Sequence, residues 1–210
     1  MLKGFLNILI YIFFPAIFTS LFTLNINSKE YIFYMLISYI LLTIYFIIIY
    51  KKEIIYYIKN FKKSYIKTII IYELIGFLLM MLSNYIINYL IIPNGLSINE
   101  VNNRELLLNN KIIYPIILCI FIPILEEITF RLEFKKNIKN KYIFLIISSL
   151  IFALLHIISS TKLIEIIYII PYFILGLTFT SIYQKTNNII SNIIAHILHN
   201  TIIVFIILLF

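Results

Sequence analysis

Residues 112–133 read IIYPIILCIFIPILEEITFRLE, an apolar stretch long enough to cross a lipid bilayer as a helix. A helix rises about 1.5 Å per residue, so about 20 residues span the roughly 30 Å hydrocarbon core. This stretch also contains Glu126, Glu127 and Arg131. Charged side chains within a membrane span are costly, and they are usually paired or functional. The stretch therefore predicts a transmembrane helix that carries a functional site.

The composition of the whole chain is that of a membrane protein. Hydrophobic residues make up 62% of the 210 residues, charged residues 12%, and the mean hydropathy is +1.03. Soluble domains are about half apolar and about a quarter charged. The net charge of +8 does not indicate nucleic-acid binding, because the basic residues lie in short loops between apolar stretches. We expect an integral, multi-pass membrane protein with no nucleic-acid partner.

Seven stretches have the length and apolar character of membrane spans. The first follows Lys3, but it is about twice as long as the apolar core of a signal peptide and no small-residue cleavage site follows it. The predicted fold class is all-α, a polytopic transmembrane helical bundle of about seven spans plus an interfacial amphipathic helix. The predicted spans are Gly4–Leu24, Tyr31–Tyr50, Thr68–Ile92, Ile112–Glu133, Tyr142–Ile158, Leu163–Tyr183 and Ile189–Phe210.

The distribution of basic residues predicts the orientation. If the seven predicted spans cross the membrane in turn, twelve lysines lie on the same side as the N-terminus. Four basic residues lie on the other side. By the positive-inside rule the N-terminus lies inside the cell. The Ile-, Asn-, Lys- and Tyr-rich composition is typical of AT-rich microbial genomes, so we expect a microbial cell membrane. The twelve lysines are Lys3, Lys51, Lys52, Lys59, Lys62, Lys63, Lys67, Lys135, Lys136, Lys139, Lys141 and Lys185.

Residues 51–67 are too charged to span the membrane. Ile54, Ile58, Phe61 and Tyr65 recur at helical spacing with lysines between them. This pattern predicts an amphipathic helix in the interface plane, with its lysines toward anionic headgroups. The connector 93–111 is expected to be an outer loop with a short helix at residues 102–108.

Ionisable and amide side chains are concentrated in the last four predicted spans. Span four carries Glu126, Glu127 and Arg131, and span five carries His156. Span seven carries three more polar residues, His196, His199 and Asn200. Two further glutamates, Glu73 and Glu165, lie close enough to a span end to reach the interface, and we expect them to be structural.

Helix geometry favours contacts among these residues. Glu126 and His156 lie equally far from the turn between spans four and five, so an antiparallel pair brings them to the same depth. Glu127 and Arg131 are i,i+4 neighbours and are expected to form an ion pair. Glu126 is turned about 100° away from Glu127 and remains available for chemistry. His196 and Asn200 are also i,i+4 neighbours on one face of span seven. Buried polar packing between helices is the structural alternative.

Several hydrolytic mechanisms lack the residues they require. The chain has no Asp, no HExxH motif and no GxSxG motif, and this excludes a Ser-His-Asp triad and a zincin-type helix. Cys119 carries no reactivity signature. A water-activating carboxylate assisted by histidine is the remaining hydrolytic arrangement.

Three motifs occur in order on apolar helices. EExxxR is formed by residues 126–131, FxxxH by residues 152–156 and HxxxN by residues 196–200. In this order they resemble the CPBP intramembrane proteases, which comprise type II CAAX prenyl proteases, bacteriocin-processing enzymes and Abi proteins. The resemblance covers about residues 112–205. It implies two regions, a variable N-terminal membrane region at 1–111 and a catalytic core of four spans at 112–210.

The resemblance also implies roles for individual residues. Glu126 would activate the attacking water with help from His156, and His196 and Asn200 would stabilise the oxyanion. Glu127 and Arg131 would support the site, and Phe152 would pack beside it. Leu132 stands where many members have Gly, and seven spans are fewer than the eight of well-known members. His199 has no role in the family and is expected to pack between helices.

The cofactor stays open at this point, with none and zinc as the alternatives. Glu126, His156 and His196 would be the metal candidates, as a His₂Glu zinc set. The same residues suit a glutamate mechanism without metal, which we favour.

The expected function is that of an intramembrane endopeptidase. Its substrate would be a membrane-associated or small peptide, as in bacteriocin, pheromone or leader processing or in bacteriocin self-immunity. The alternatives are a non-catalytic membrane immunity or scaffold protein with the same fold, and a small proton-coupled transporter. A transporter would need polar residues along a whole path, whereas here they form one cluster. The expected partners are the peptide or protein substrate and the lipid bilayer.

Overall fold

The computed structural model describes residues 2–23, 25, 28–160 and 162–209, with side chains from residue 6 onward. Helices account for nearly all of this part of the chain, in agreement with the predicted all-α class. The helices are α1 (Leu2–Ser20), α2 (Lys29–Ile49), α3 (Lys51–Lys59), α4 (Tyr65–Leu90), α5 (Ile98–Asn109), α6 (Ile113–Asn137), α7 (Lys141–Ile157), α8 (Ile169–Thr186) and α9 (Ile189–Leu209). A 3₁₀ segment, Leu163–Tyr168, leads directly into α8.

Five helices of the described chain are long and apolar enough to cross a membrane: α2, α4, α6, α8 with its preceding 3₁₀ segment, and α9. Two further apolar helices are shorter, Leu6–Ser20 within α1 and Lys141–Ile157, which is α7. At about 1.5 Å per residue, the 17 residues of α7 reach about 26 Å. The polytopic bundle is confirmed, and "about seven" spans corresponds to five full-length helices and two shorter ones.

Polar residues define where several helices begin and end. Ser28, Ser97 and Asn140 cap α2, α5 and α7, because each side chain accepts a hydrogen bond from a backbone N–H of the first turn. Asn187 ends α8 in a left-handed conformation, with φ 46°. These polar residues mark the turns between consecutive helices.

The segment predicted as one amphipathic helix is divided in the structure. Helix α3 ends at Lys59, and α4 already begins at Tyr65. None of the residues of α3 is buried. It is held by its ends, since Lys136 Nζ lies 2.9 Å from Glu53 Oε1 and Asn188 donates to the Tyr57 carbonyl at 2.8 Å.

Contacts between connectors distinguish the two ends of the bundle. At one end α3 meets the end of α6 and the α8–α9 turn, and Gln184 donates to the Lys141 carbonyl. We call this the lysine-rich end. At the other end, the Tyr168 hydroxyl donates to Asn88 and the Tyr114 hydroxyl donates to Asn103 of α5. We call this the α5 end. Helix α5 is longer than the short helix expected at residues 102–108.

Helices α7 and α8 pack at a glycine. A Cβ added at Gly176 would lie 2.8 Å from the Ser149 carbonyl oxygen and 2.9 Å from Ser149 Cα. Small residues allow helix backbones to approach closely where lipid provides no hydrophobic force between them. Ser148 reinforces this contact, because its hydroxyl donates to the Phe130 carbonyl of α6 at 2.7 Å.

We predict that Gly176→Ala lowers thermal stability in detergent. The added methyl group meets backbone atoms that cannot rotate away, and overpacking of this kind costs about 1–3 kcal/mol. The measurement is the fraction of monodisperse protein that remains after heating. Ile170→Ala, at an exposed position on the same helix, is the matched control and is expected to change little. Equal stability of Gly176→Ala and wild type would contradict the tight α7–α8 contact.

Candidate active site

Helix α6 presents its charged residues between two π-helical segments. The first covers Ile117–Phe121, and the second, Ile128–Glu133, follows Glu126 and Glu127 directly. π-segments within α-helices occur frequently at functional sites. Glu126, Glu127 and Arg131 are 6%, 0% and 0% exposed, so all three are buried within the bundle.

Asn200 compensates for a carbonyl that the first π-segment cannot satisfy. In a π-helix the Leu118 carbonyl would accept from residue 123, but Pro123 has no N–H to donate. Asn200 Nδ2 of α9 donates to this carbonyl instead, at 2.8 Å. A primary amide has two N–H donors, so one of them remains available. The expected oxyanion role of Asn200 would use that second donor.

A buried polar network surrounds Glu127. Arg131 Nε lies 3.3 Å from Glu127 Oε2, as their spacing predicts. His196 donates from Nδ1 to Glu127 Oε1 at 2.9 Å, and Asn192 donates to Glu127 Oε2 at 3.1 Å. Because a carboxylate only accepts, these contacts assign the hydrogen to His196 Nδ1. Asn192 was not expected at the site, although its position four residues before His196 places it on the same face of α9.

Aromatic rings enclose the Arg131 guanidinium. Its Cζ lies 4.7 Å from the ring centroid of Phe152 and 5.6 Å from that of Phe179, within the range of cation–π attraction. The Phe152 ring is also 5.9 Å from the His196 ring. Phe152 therefore lies beside Arg131 and His196, at the position that the family resemblance implies.

Glu126 is held less tightly than Glu127. Its Oε1 accepts a 2.7 Å hydrogen bond from the hydroxyl of Tyr11 on α1. Its Oε2 is 3.8 Å from His196 Nε2 and has no hydrogen-bond partner among the described atoms. Tyr11 was not expected at the site, since nothing in its sequence context distinguishes it among 17 tyrosines. Of the two adjacent glutamates, Glu126 is thus the one with an unused acceptor.

His156 lies in the same cavity as Glu126 but does not touch it. Within the described part of the chain no hydrogen bond or ion pair joins the two residues. His156 Nδ1 is 2.8 Å from the Phe152 carbonyl, and the ring packs between Phe152 and Tyr172.

The helix bounds account for this separation. Helix α6 ends eleven residues after Glu126, whereas α7 begins fifteen residues before His156. At about 1.5 Å per residue, His156 sits about 6 Å nearer the α5 end. The expectation that Glu126 and His156 lie at equal depth is therefore wrong, because it centred the turn too close to α7.

Glu73 and His199 form a second buried pair that the sequence did not predict. Glu73 was expected to reach the interface, but it is 3% exposed and His199 Nδ1 donates to its Oε1 at 2.6 Å. Glu73 lies eight residues into α4 and faces α9, so its side chain is directed into the bundle. His199 therefore packs between helices, as expected, with a carboxylate as its partner.

The candidate metal ligands do not fit a three-ligand zinc site. Such a site needs three His, Cys, Asp or Glu donors converging on one point. No group of three such side chains converges in this way among the described residues. His196 directs one ring nitrogen to Glu127, and His156 lies apart from Glu126. Glu126, His156 and His196 share a cavity rather than a coordination sphere.

That cavity has a volume of about 690 Å³. Its wall includes Glu126, His156, His196, His199 and Asn200, together with Tyr11. A cavity of this size accommodates a small ligand or a few residues of an extended peptide. The sequence-predicted residues are thus brought together around one space, with Glu127, Arg131 and Phe152 packed behind it.

We predict that Arg131→Met destabilises the protein strongly. Removing one partner of a buried ion pair leaves an uncompensated charge, at a cost of about 3–5 kcal/mol. The double variant Glu127→Gln/Arg131→Met leaves no unpaired carboxylate, and we expect it to be more stable than Arg131→Met alone. Denaturant unfolding in detergent measures both. A double variant less stable than either single variant would contradict the pairing.

Comparison with known proteins finds a family that the region of this site resembles. Residues 108–202 match the family described as "Type II CAAX prenyl endopeptidase Rce1-like". The chain is also 40% identical over 80 residues to UPF0177 protein YxdF of Lactococcus lactis subsp. lactis (strain IL1403).

That second match covers 38% of this chain and 42% of the relative. No solved structure matches the chain significantly. The matched range contains all three motifs, EExxxR, FxxxH and HxxxN. Over residues 108–202, this chain therefore resembles the Rce1-like type II CAAX prenyl endopeptidases, in agreement with the resemblance carried by its three motifs.

Proposed function

We propose that this protein is an intramembrane endopeptidase that hydrolyses a peptide bond with water activated by Glu126. The observation that carries the proposal is the environment of this carboxylate. Glu126 lines the cavity, its buried Oε2 has no hydrogen-bond partner among the described atoms, and Tyr11 holds Oε1. The family match supports the same reaction class.

The proposed reaction begins with a water molecule between Glu126 and the scissile carbonyl. Glu126 takes a proton from this water as its oxygen bonds to the carbonyl carbon, and the carbonyl oxygen becomes an oxyanion. Glu126 then returns the proton to the leaving amine as the C–N bond breaks. The products are a carboxylic acid and an amine, and the carboxylate is regenerated.

The other site residues would act on this intermediate. His196 Nε2, when protonated, and the second N–H of Asn200 are the donors proposed for the oxyanion. His156 would assist in orienting the water or the substrate from the other wall of the cavity. Glu127 and Arg131 would hold His196 in place through its Nδ1. Preorganised donors in a site that excludes water are worth more than in solution.

The proposed substrates are small or membrane-associated peptides. A cavity of about 690 Å³ has room for a few residues of a bacteriocin, pheromone or leader peptide. Cleavage of a bacteriocin would also provide self-immunity. The wall combines apolar side chains with amide and hydroxyl groups, which suits an extended peptide.

We predict that Glu126→Gln lowers peptide cleavage by about 10²-fold or more, because a general base contributes about 10²–10⁴-fold to rate. The assay is mass spectrometry of a pool of host-cell peptides incubated with purified protein in detergent. Glu165→Gln is the matched control, since this half-buried glutamate does not line the cavity. If Glu126→Gln and wild type behave alike, both in cleavage and in a cellular immunity assay, the protein is a non-catalytic immunity or scaffold protein.

We also predict that cleavage continues in the presence of a metal chelator. The side chains around the cavity do not converge as a zinc site requires, so activity is expected to rest on the protein's own groups. The same peptide assay is run with and without chelator. Loss of cleavage on chelation, followed by recovery with added zinc, would instead make the protein a metalloprotease.

A further inference from the structure

The cavity extends from Glu126 toward one end of the bundle only. The residues that line it belong to the part of each helix nearer the α5 end. In α4 they lie at 80–88, close to the end of that helix, and in α6 at 114–126, from its start. The corresponding residues are 11–16 in α1, 31–39 in α2, 155–156 in α7, 171–175 in α8 and 196–207 in α9.

The lysine-rich end is closed by packed side chains. Phe46, Leu132, Phe144 and Ile189 are 0–3% exposed and belong to one buried apolar cluster there. At the same end of the bundle, the Tyr50 hydroxyl donates to Glu133 at 2.7 Å. None of the twelve lysines assigned to this side by the sequence lines the cavity, as far as the described residues show. A peptide coming from this end would have to displace the core.

The α5 end offers polar groups suited to a peptide backbone. Asn99, Asn103 and Arg104 of α5 line the cavity there, and so do Asn84 and Asn88 of α4. Side-chain amides both donate and accept, as the main chain of an extended peptide requires. Arg104 is paired with Glu100 at 2.7 Å, so the rim carries little net charge.

We propose that the substrate reaches Glu126 from the α5 end. The lysine distribution assigns that end to the outer face of the membrane. The substrate is therefore a peptide, or a segment of a membrane protein, that is exposed on the outer face when it is cut. This inference rests on the proposed endopeptidase function and adds the side from which its substrate comes. A cytoplasmic lipidated protein is not such a substrate.

Cysteine accessibility in intact cells tests this route. The native thiol is first removed as Cys119→Ser, and single cysteines are then introduced as Arg104→Cys and Leu96→Cys, both at the cavity rim. Glu105→Cys is the matched control, because Glu105 is exposed on the same helix but does not line the cavity. Lys63→Cys reports on the lysine-rich end. The probe is a membrane-impermeant sulfonated maleimide, and the activity readout is a peptide that the wild type cleaves.

We expect the probe to label both rim cysteines and Glu105→Cys from outside, and Lys63→Cys only after permeabilisation. Labelling of either rim cysteine should abolish cleavage relative to the same unlabelled variant, whereas labelling of Glu105→Cys should not. The inference is overturned if the rim cysteines react only after permeabilisation, or if labelled Arg104→Cys and Leu96→Cys both cleave normally. The endopeptidase proposal fails separately, through undiminished cleavage by Glu126→Gln.

Discussion

The buried contact between Glu127 and Arg131 is the interaction on which the site depends. Two charges in a helical bundle are stable only when each is compensated. Arg131 compensates Glu127 along α6, and the Phe152 and Phe179 rings cover the guanidinium. With this charge balanced, Glu127 can hold His196 of α9 through Nδ1, which leaves Nε2 directed toward Glu126. The pair thereby links the two helices that carry most of the proposed catalytic groups.

The irregular backbone of α6 contributes to the same arrangement. Pro123 removes a donor from the first π-segment, and the orphaned Leu118 carbonyl is satisfied by Asn200. In a membrane such a carbonyl needs a partner within the protein. One hydrogen bond thus places Asn200 of the HxxxN motif at the cavity wall. Asn200 thus has a structural role and a proposed catalytic role. Loss of activity in an Asn200 variant would therefore report on both roles.

The N-terminal helices take part in the site although the family match covers only residues 108–202. Tyr11 of α1 donates to Glu126, and Glu73 of α4 accepts from His199. Helix α4 also lines the cavity toward the α5 end. A division into a variable region at 1–111 and a catalytic core at 112–210 describes the motifs, but the cavity is formed by both parts of the chain.

The sequence by itself determined the helical membrane class and the groups along each helix that share a face. Apolar length defines a span, and i,i+4 spacing places Glu127 beside Arg131 because both lie on one rigid element. Only the tertiary structure decided the partners between helices: Tyr11 with Glu126, Glu73 with His199, and His156 apart from Glu126. Those contacts depend on the rotation and axial offset of whole helices, on π-segments and on where α7 begins. A small axial offset separates groups that must approach within hydrogen-bond distance, and no spacing within one helix encodes that offset.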